Sequence, residues 1–93
     1  MRRFLSIPLI ILIKMTDEVK LKDIFVKIFP EIENDFDLNR EQSDYENWDS
    51  FSHVNLISEI EDQFNIQLET DEIISISSAK SALELIKKKK NDN

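Results

Sequence analysis

One short motif near the middle of the chain has residue types and spacing that could support covalent chemistry. Asp49, Ser50 and Phe51 come directly before a segment whose apolar residues recur about once per helical turn. Aspartate in this place can cap the helix by accepting a backbone N–H, which puts the Ser50 hydroxyl in the exposed first turn. Because serine is common at helix starts, the motif gains meaning only from the elements around it.

The spacing of apolar residues predicts the helices that must position this motif. A first helix is expected to begin with Thr16 as its N-cap and to end before Pro30. A second begins at Asp49, a short irregular one covers 68–76, and a last one is capped by Ser77 or Ser78, with Lys87–Lys90 as a solvated tail. The residues expected to face the interior are Leu21, Ile24, Phe25, Ile28, Val54, Ile57, Ile60, Phe64, Leu68, Ile76, Ala79, Ala82, Leu83 and Ile86.

Residues 31–48 show no sustained period, and a long ordered loop is expected there. Its aromatic residues should fold back over the helices, because large apolar side chains seldom remain in water. No strand pattern competes with the helices anywhere in the chain. The sequence therefore predicts an all-α fold: a small four-helix bundle of three main helices and one short helix, with a long loop between helices one and two.

Length and composition exclude several classes of function. With 93 residues the chain can form one compact domain, and it is too small to favour a large catalytic pocket. The absence of Cys removes disulfides, thiolate metal ligands and a cysteine nucleophile, and the absence of Gly removes glycine-rich phosphate loops. The net charge is −7, and between Glu31 and Ser75 there are fourteen acids and one base. Such a segment repels nucleic acids and attracts basic protein surfaces.

The first fourteen residues differ from the rest of the chain. Two arginines and an apolar run resemble the start of a signal peptide, but no cleavage site follows and the run is too short to span a bilayer. We expect residues 1–14 to be a disordered leader or to lie upstream of a true start at Met15, with membrane anchoring as the second possibility. One domain is expected over 15–90 with a tail at 91–93, and we expect a cytoplasmic monomer.

The segment from Trp48 to Ile86 resembles the acyl carrier protein family. The attachment motif of that family, Asp-Ser-Leu, stands here as Asp49-Ser50-Phe51, and the family turn Ile-Thr-Thr stands as Ile76-Ser77-Ser78. An acidic helix closed by Phe64 connects the two. Phe51 replaces the usual Leu, and Ser52 occupies a position where relatives often have Gly or Asp.

The resemblance implies a function without catalysis. A phosphopantetheinyl transferase would join 4′-phosphopantetheine to Ser50, and the thiol of this arm would carry acyl groups to enzymes with basic surfaces. The residues implied in recognition by these partners are Asp49, Phe51, Val54, Glu59, Glu61 and Asp62. The cargo stays open between fatty acyl, polyketide, aminoacyl and hydroxyacyl groups, and so does the question whether the bundle shelters it.

Three other functions compete with the carrier hypothesis. Ser50 and His53 lie one helical turn apart and could form part of a hydrolase site, although we expect His53 at the surface and see no oxyanion site. An EF-hand-like calcium loop would take its ligands from Asp35, Asp37, Asn39, Glu41 and Glu46, but Arg40 stands where that loop needs Gly. The third competitor is an acidic interaction module of the same fold that is never modified.

Overall fold

The structure is a computed structural model that describes the backbone of residues 9–91 and the side chains of residues 17–90. It confirms a small all-α bundle, and the described residues contain no strand. Four α-helices follow in chain order: α1 (Leu9–Ile28), α2 (Ser50–Phe64), α3 (Thr70–Ser75) and α4 (Ala79–Asn91). Three are long and α3 has six residues, as the sequence predicts.

Helix α1 begins earlier than predicted. It starts at Leu9 rather than after Thr16, so Thr16 lies inside the helix and is not its N-cap. Neither Gly nor Pro occurs between Pro8 and Pro30, so nothing in this stretch interrupts the helix. Residues 9–14, the second half of the predicted leader, therefore form the first turns of α1. Residues 1–8 and the tail residues 92–93 lie outside the described part of the chain. Among the described helices, none is long and apolar enough to cross a membrane.

One continuous core joins the helices and the loop. Helix α1 packs against α2 and α4, and its predicted inward residues Leu21, Ile24 and Phe25 are buried. The other buried apolar side chains are Phe29, Ile32, Tyr45, Trp48, Leu56, Ile57, Ile60, Phe64, Ile66, Ile76, Ala79, Ala82, Leu83 and Ile86.

The connection between α1 and α2 is ordered by its aromatic residues, as predicted. It contains two short 3₁₀ turns, Pro30–Ile32 and Gln42–Asp44. Tyr45 and Trp48 are buried, and their ring centroids lie 5.0 Å from each other. The Trp48 ring also lies 5.6 Å from Phe25 and 5.4 Å from Phe29. Aromatic packing at these distances adds to the burial of apolar area and attaches the loop to α1.

Backbone hydrogen bonds tie the same loop to the start of α4. The Gln42 N–H donates to the Ser77 carbonyl at 2.7 Å, and the Lys80 N–H donates to the Leu38 carbonyl at 2.9 Å. The predicted serine cap is Ser78, whose Oγ accepts from the Ser81 N–H at 3.1 Å. The loop carbonyl and the cap thus satisfy two N–H groups of the first turn that have no acceptor within the helix.

The buried face of α2 differs from the prediction. Val54 was expected in the core but is 63% exposed, and Phe51 is 76% exposed. Leu56, which the periodic pattern left out, is fully buried beside Ile57. The inward stripe runs from these two residues through Ile60 to Phe64. Two apolar side chains next to Ser50 therefore face solvent.

Of the four lysines predicted as a solvated tail, Lys87 and Lys88 are exposed, but Lys89 and Lys90 form ion pairs with other helices. Lys89 Nζ lies 3.0 Å from Glu72 Oε1 in α3, and Lys90 Nζ lies 3.0 Å from Asp17 Oδ1 in α1. A hydrogen bond from the Glu69 backbone and the contact with Lys89 lower the pKa of Glu72. The C-terminal turn of α4 is thus linked to two other helices.

Leu56→Ala and Val54→Ala test the buried face of α2. We expect Leu56→Ala to lower the free energy of unfolding by about 2–5 kcal/mol, because it leaves a cavity in the core. Val54→Ala should change it by less than about 0.5 kcal/mol, because this side chain is exposed. Urea unfolding followed by Trp48 fluorescence measures both, and equal losses would contradict the observed face.

Candidate modification site

The site begins with the cap of α2. Asp49 has an extended backbone, with φ −107° and ψ −171°, and its Oδ1 accepts from the Ser52 N–H at 2.9 Å. Its carbonyl accepts the first helical bond, from the His53 N–H, at 2.9 Å. The hydrogen bond from the Ser52 backbone is the main cause that lowers the pKa of Asp49. The predicted N-cap is confirmed, and it makes Ser50 the first residue of the helix.

The Ser50 side chain is exposed at this first turn. Within the described part of the chain, its hydroxyl has no hydrogen-bond partner. Helix geometry leaves the first N–H groups without intrahelical acceptors, so the hydroxyl lies at the positive end of α2. A group attached there would meet neither packed side chains nor a competing internal hydrogen bond.

Ser52 connects the end of the loop to the first turn of α2. Its Oγ donates to the Asn47 carbonyl at 2.7 Å, while its N–H is bound by Asp49. The side chain therefore joins the last loop residues to the first turn of α2. This contact gives a structural role to a residue that departs from the carrier pattern.

His53 is only half-buried, but its ring is held between other segments rather than lying free at the surface as predicted. The half-buried ring accepts from Trp48 Nε1 at Nδ1, at 2.9 Å, and its Nε2 lies 2.8 Å from the Ile73 carbonyl. Because both ring nitrogens are occupied, neither is available to take a proton from Ser50. The hydrolase alternative therefore lacks its general base.

Three exposed apolar side chains lie on α2 and α3, the two helices that His53 and the Ile73 carbonyl connect. Phe51 and Val54 belong to α2, and Ile74 of α3 is 75% exposed. Phe51 and Val54 are predicted recognition residues, whereas Ile74 is not among the predicted ones. A signal was present, because Ile73 and Ile74 are adjacent in a short helix and cannot both face the interior.

The three acids predicted for partner recognition have different environments. Glu59 forms an ion pair with Lys27 at 2.9 Å, and Glu61 Oε2 accepts from the Leu68 N–H at 2.9 Å. Asp62 is exposed and forms no ion pair with another described residue. Two of the acids thus have structural partners, and Asp62 is the one whose carboxylate is unengaged among the residues described.

The EF-hand-like arrangement does not form. Asp37 Oδ1 accepts from the Asn39 N–H at 2.9 Å, and the Glu41 side chain takes part in a capping box with Asp44. Across residues 17–90, no three His, Asp or Glu side chains come close enough together to hold a metal ion. Asp37 and Glu41 are used in a turn and a capping box instead.

Comparison with known proteins gives no family assignment. No protein-family model matches the chain, and no curated protein matches its sequence. The functional interpretation therefore depends on the motif and on the geometry around Ser50.

Asp49→Ala tests the cap. We expect the variant to lower Tm at neutral pH by roughly 4–8 °C, the shift typical for loss of one cap in a domain of this size. Because the folded-state pKa of Asp49 lies below its ordinary value of 3.8, the ionised cap stabilises the fold above that pH and loses this effect as pH falls through the lowered pKa.

Thermal unfolding of wild type and variant at neutral pH and near pH 2 measures the difference. Asp49→Asn is the matched control, because asparagine caps helices without a charge. A Tm difference between wild type and Asp49→Ala that does not shrink in acid would contradict a role for the ionised carboxylate.

Proposed function

We propose that this protein is an acyl carrier protein that holds acyl groups as thioesters on 4′-phosphopantetheine attached to Ser50. One observation carries the proposal: the exposed, unbonded hydroxyl of Ser50 lies at the first turn of a helix that Asp49 caps. The resemblance of Asp49-Ser50-Phe51 to the carrier attachment motif supports it. We further propose that it acts in the cytoplasm and supplies no catalytic group of its own.

The physical chemistry of the first turn suits a phosphodiester. Unpaired N–H groups and the helix dipole favour a negative charge at this end of α2. The attached arm would supply the thiol that a chain without Cys lacks. The protein then provides a rigid helix start and an accessible hydroxyl, while transfer chemistry belongs to its partner enzymes.

Exposed apolar side chains beside Ser50 support recognition by proteins. Phe51, Val54 and Ile74 would dock against apolar surface of a partner, and Asp62 would contribute to attraction by a basic rim. Attraction between opposite charges speeds encounter and weakens with added salt. A carrier that visits several enzymes in turn requires such short-lived contacts.

The test is enzymatic modification with coenzyme A and a phosphopantetheinyl transferase of broad specificity. We expect intact-mass spectrometry to show the gain of one phosphopantetheine, and peptide mapping to locate it at Ser50. Ser50→Ala should abolish the gain. Ser58→Ala is the matched control, because Ser58 is also exposed on α2 and should leave modification unchanged.

An unmodified interaction module gives the opposite result. If several transferases add no mass to the folded wild-type protein, the carrier proposal fails. The exposed apolar residues would then serve an interface that involves no prosthetic group.

A second measurement tests the recognition surface. We expect Phe51→Ala and Val54→Ala each to raise the KM of the transferase by roughly 5- to 30-fold, as truncation of an energetically important interface residue does. The kcat should change little, because neither side chain takes part in the reaction. Val19→Ala is the control, because Val19 is exposed on α1 and not on the helices at the site. An equal KM in all three variants would contradict this surface.

A further inference from the structure

His53 connects three segments of the chain. It belongs to α2, its Nδ1 accepts from the Trp48 indole at the end of the loop, and its Nε2 lies 2.8 Å from the Ile73 carbonyl in α3. The indole N–H can only donate, so Nδ1 must carry no proton. Nε2 therefore carries the proton and donates to Ile73. The two contacts together require the neutral ring in one tautomer.

Helix α3 depends on such contacts because it is short. Six residues form too few hydrogen bonds to be stable alone in water. Ile73 packs against the core, Ile76 is buried, and Glu72 pairs with Lys89 of α4. Within residues 17–90, the bond from His53 to Ile73 is the only hydrogen bond that joins α3 to α2.

The acceptor of this bond lies in the last turn of α3. The Ile73 carbonyl otherwise accepts from the Ile76 N–H at a long 3.3 Å. Carbonyls in the last turn of a helix lack intrahelical partners, so a donated N–H at 2.8 Å satisfies this one. His53 thus stabilises the C-terminal end of α3 and links it to α2 at the same time.

The exposed residue Ile74 follows directly after Ile73. On α2, His53 lies between Phe51 and Val54 and one turn after Ser50. The hydrogen bond therefore links the backbone next to Ile74 to the part of α2 that carries Phe51 and Val54. A change in this bond would move one part of the surface relative to the other.

We propose that His53 is a positioning residue that holds α3, and with it Ile74, against the Ser50 end of α2, so that a partner meets one surface formed by both helices. The effect on a partner rests on the proposed carrier function. The effect on α3 does not, and it is measured in the free protein.

Substitutions at this position separate the two hydrogen bonds from side-chain volume. His53→Gln keeps one acceptor and one donor at the end of the side chain and can replace both ring nitrogens. His53→Leu keeps a similar volume but removes the acceptor of the Trp48 N–H and the bond from α2 to the Ile73 carbonyl, which keeps only its long bond from Ile76. His53→Asn can accept from Trp48 but is too short to reach Ile73.

Hydrogen exchange in the free protein is the first measurement. We expect His53→Leu and His53→Asn to speed exchange of the amides of residues 70–76 by roughly tenfold, since a partly buried hydrogen bond is lost. Amides in the middle of α1 and α4 should keep their rates, and His53→Gln should resemble wild type. In His53→Leu the Trp48 emission should also change, because the indole N–H loses its acceptor.

The second measurement is the KM of phosphopantetheine transfer to Ser50. It should rise several-fold in His53→Leu and His53→Asn with kcat preserved, and return toward wild type in His53→Gln. If α3 exchanges at the wild-type rate in both His53→Leu and His53→Asn, the positioning role is overturned. If amide exchange in His53→Leu speeds up in every helix, this variant is destabilised as a whole. The exchange rates of His53→Asn then provide the test.

Failure of the two proposals can be told apart. If no transferase modifies the wild-type protein, the carrier proposal is wrong, but the exchange rates still test whether His53 positions α3. A modified protein whose KM is the same in all His53 variants would remove the effect on the partner surface.

Discussion

The rest of the structure depends on the burial of the Trp48 indole, which packs in the core and donates one hydrogen bond. Its ring packs against Phe25 of α1 and against Phe29, which directly follows α1, and its N–H donates to His53 of α2. A tryptophan contributes a large apolar area, yet its N–H needs an acceptor when buried. Both requirements are met at the point where the loop ends and α2 begins, so the residue joins the core to the start of the site.

The consequence reaches the next two residues. Because Trp48 is anchored inward, Asp49 turns in extended backbone geometry and caps α2, and Ser50 follows at the exposed first turn. The same geometry leaves Phe51 in solvent. The exposed Phe51 side chain leaves apolar area in water after folding. Such exposed area is typical of a surface that another protein covers. Core packing, the helix cap and the exposed surface are thus parts of one arrangement.

Several features could be predicted from the sequence because local physics decides them. Asp49 carries an oxygen at the right distance from an N–H of the first turn, whatever the remainder of the chain does. Pro30 ends α1, and the aromatic loop residues pack inward because water is unfavourable for them. The predicted start of α1 was wrong because an N-cap residue such as Thr16 also fits inside a helix when neither Gly nor Pro interrupts the residues before it.

The sequence by itself determined an all-α chain whose second helix is capped by Asp49 and begins with Ser50, since capping, helix period and helix-breaking residues act between near neighbours. Only the tertiary structure decided which face of α2 is buried. Val54 and Leu56 are both apolar and lie about 200° apart around the helix, so the choice depends on where α1 and α4 pack. It also decided that His53 bridges Trp48 and Ile73, because residues twenty positions apart meet only when separate helices have packed.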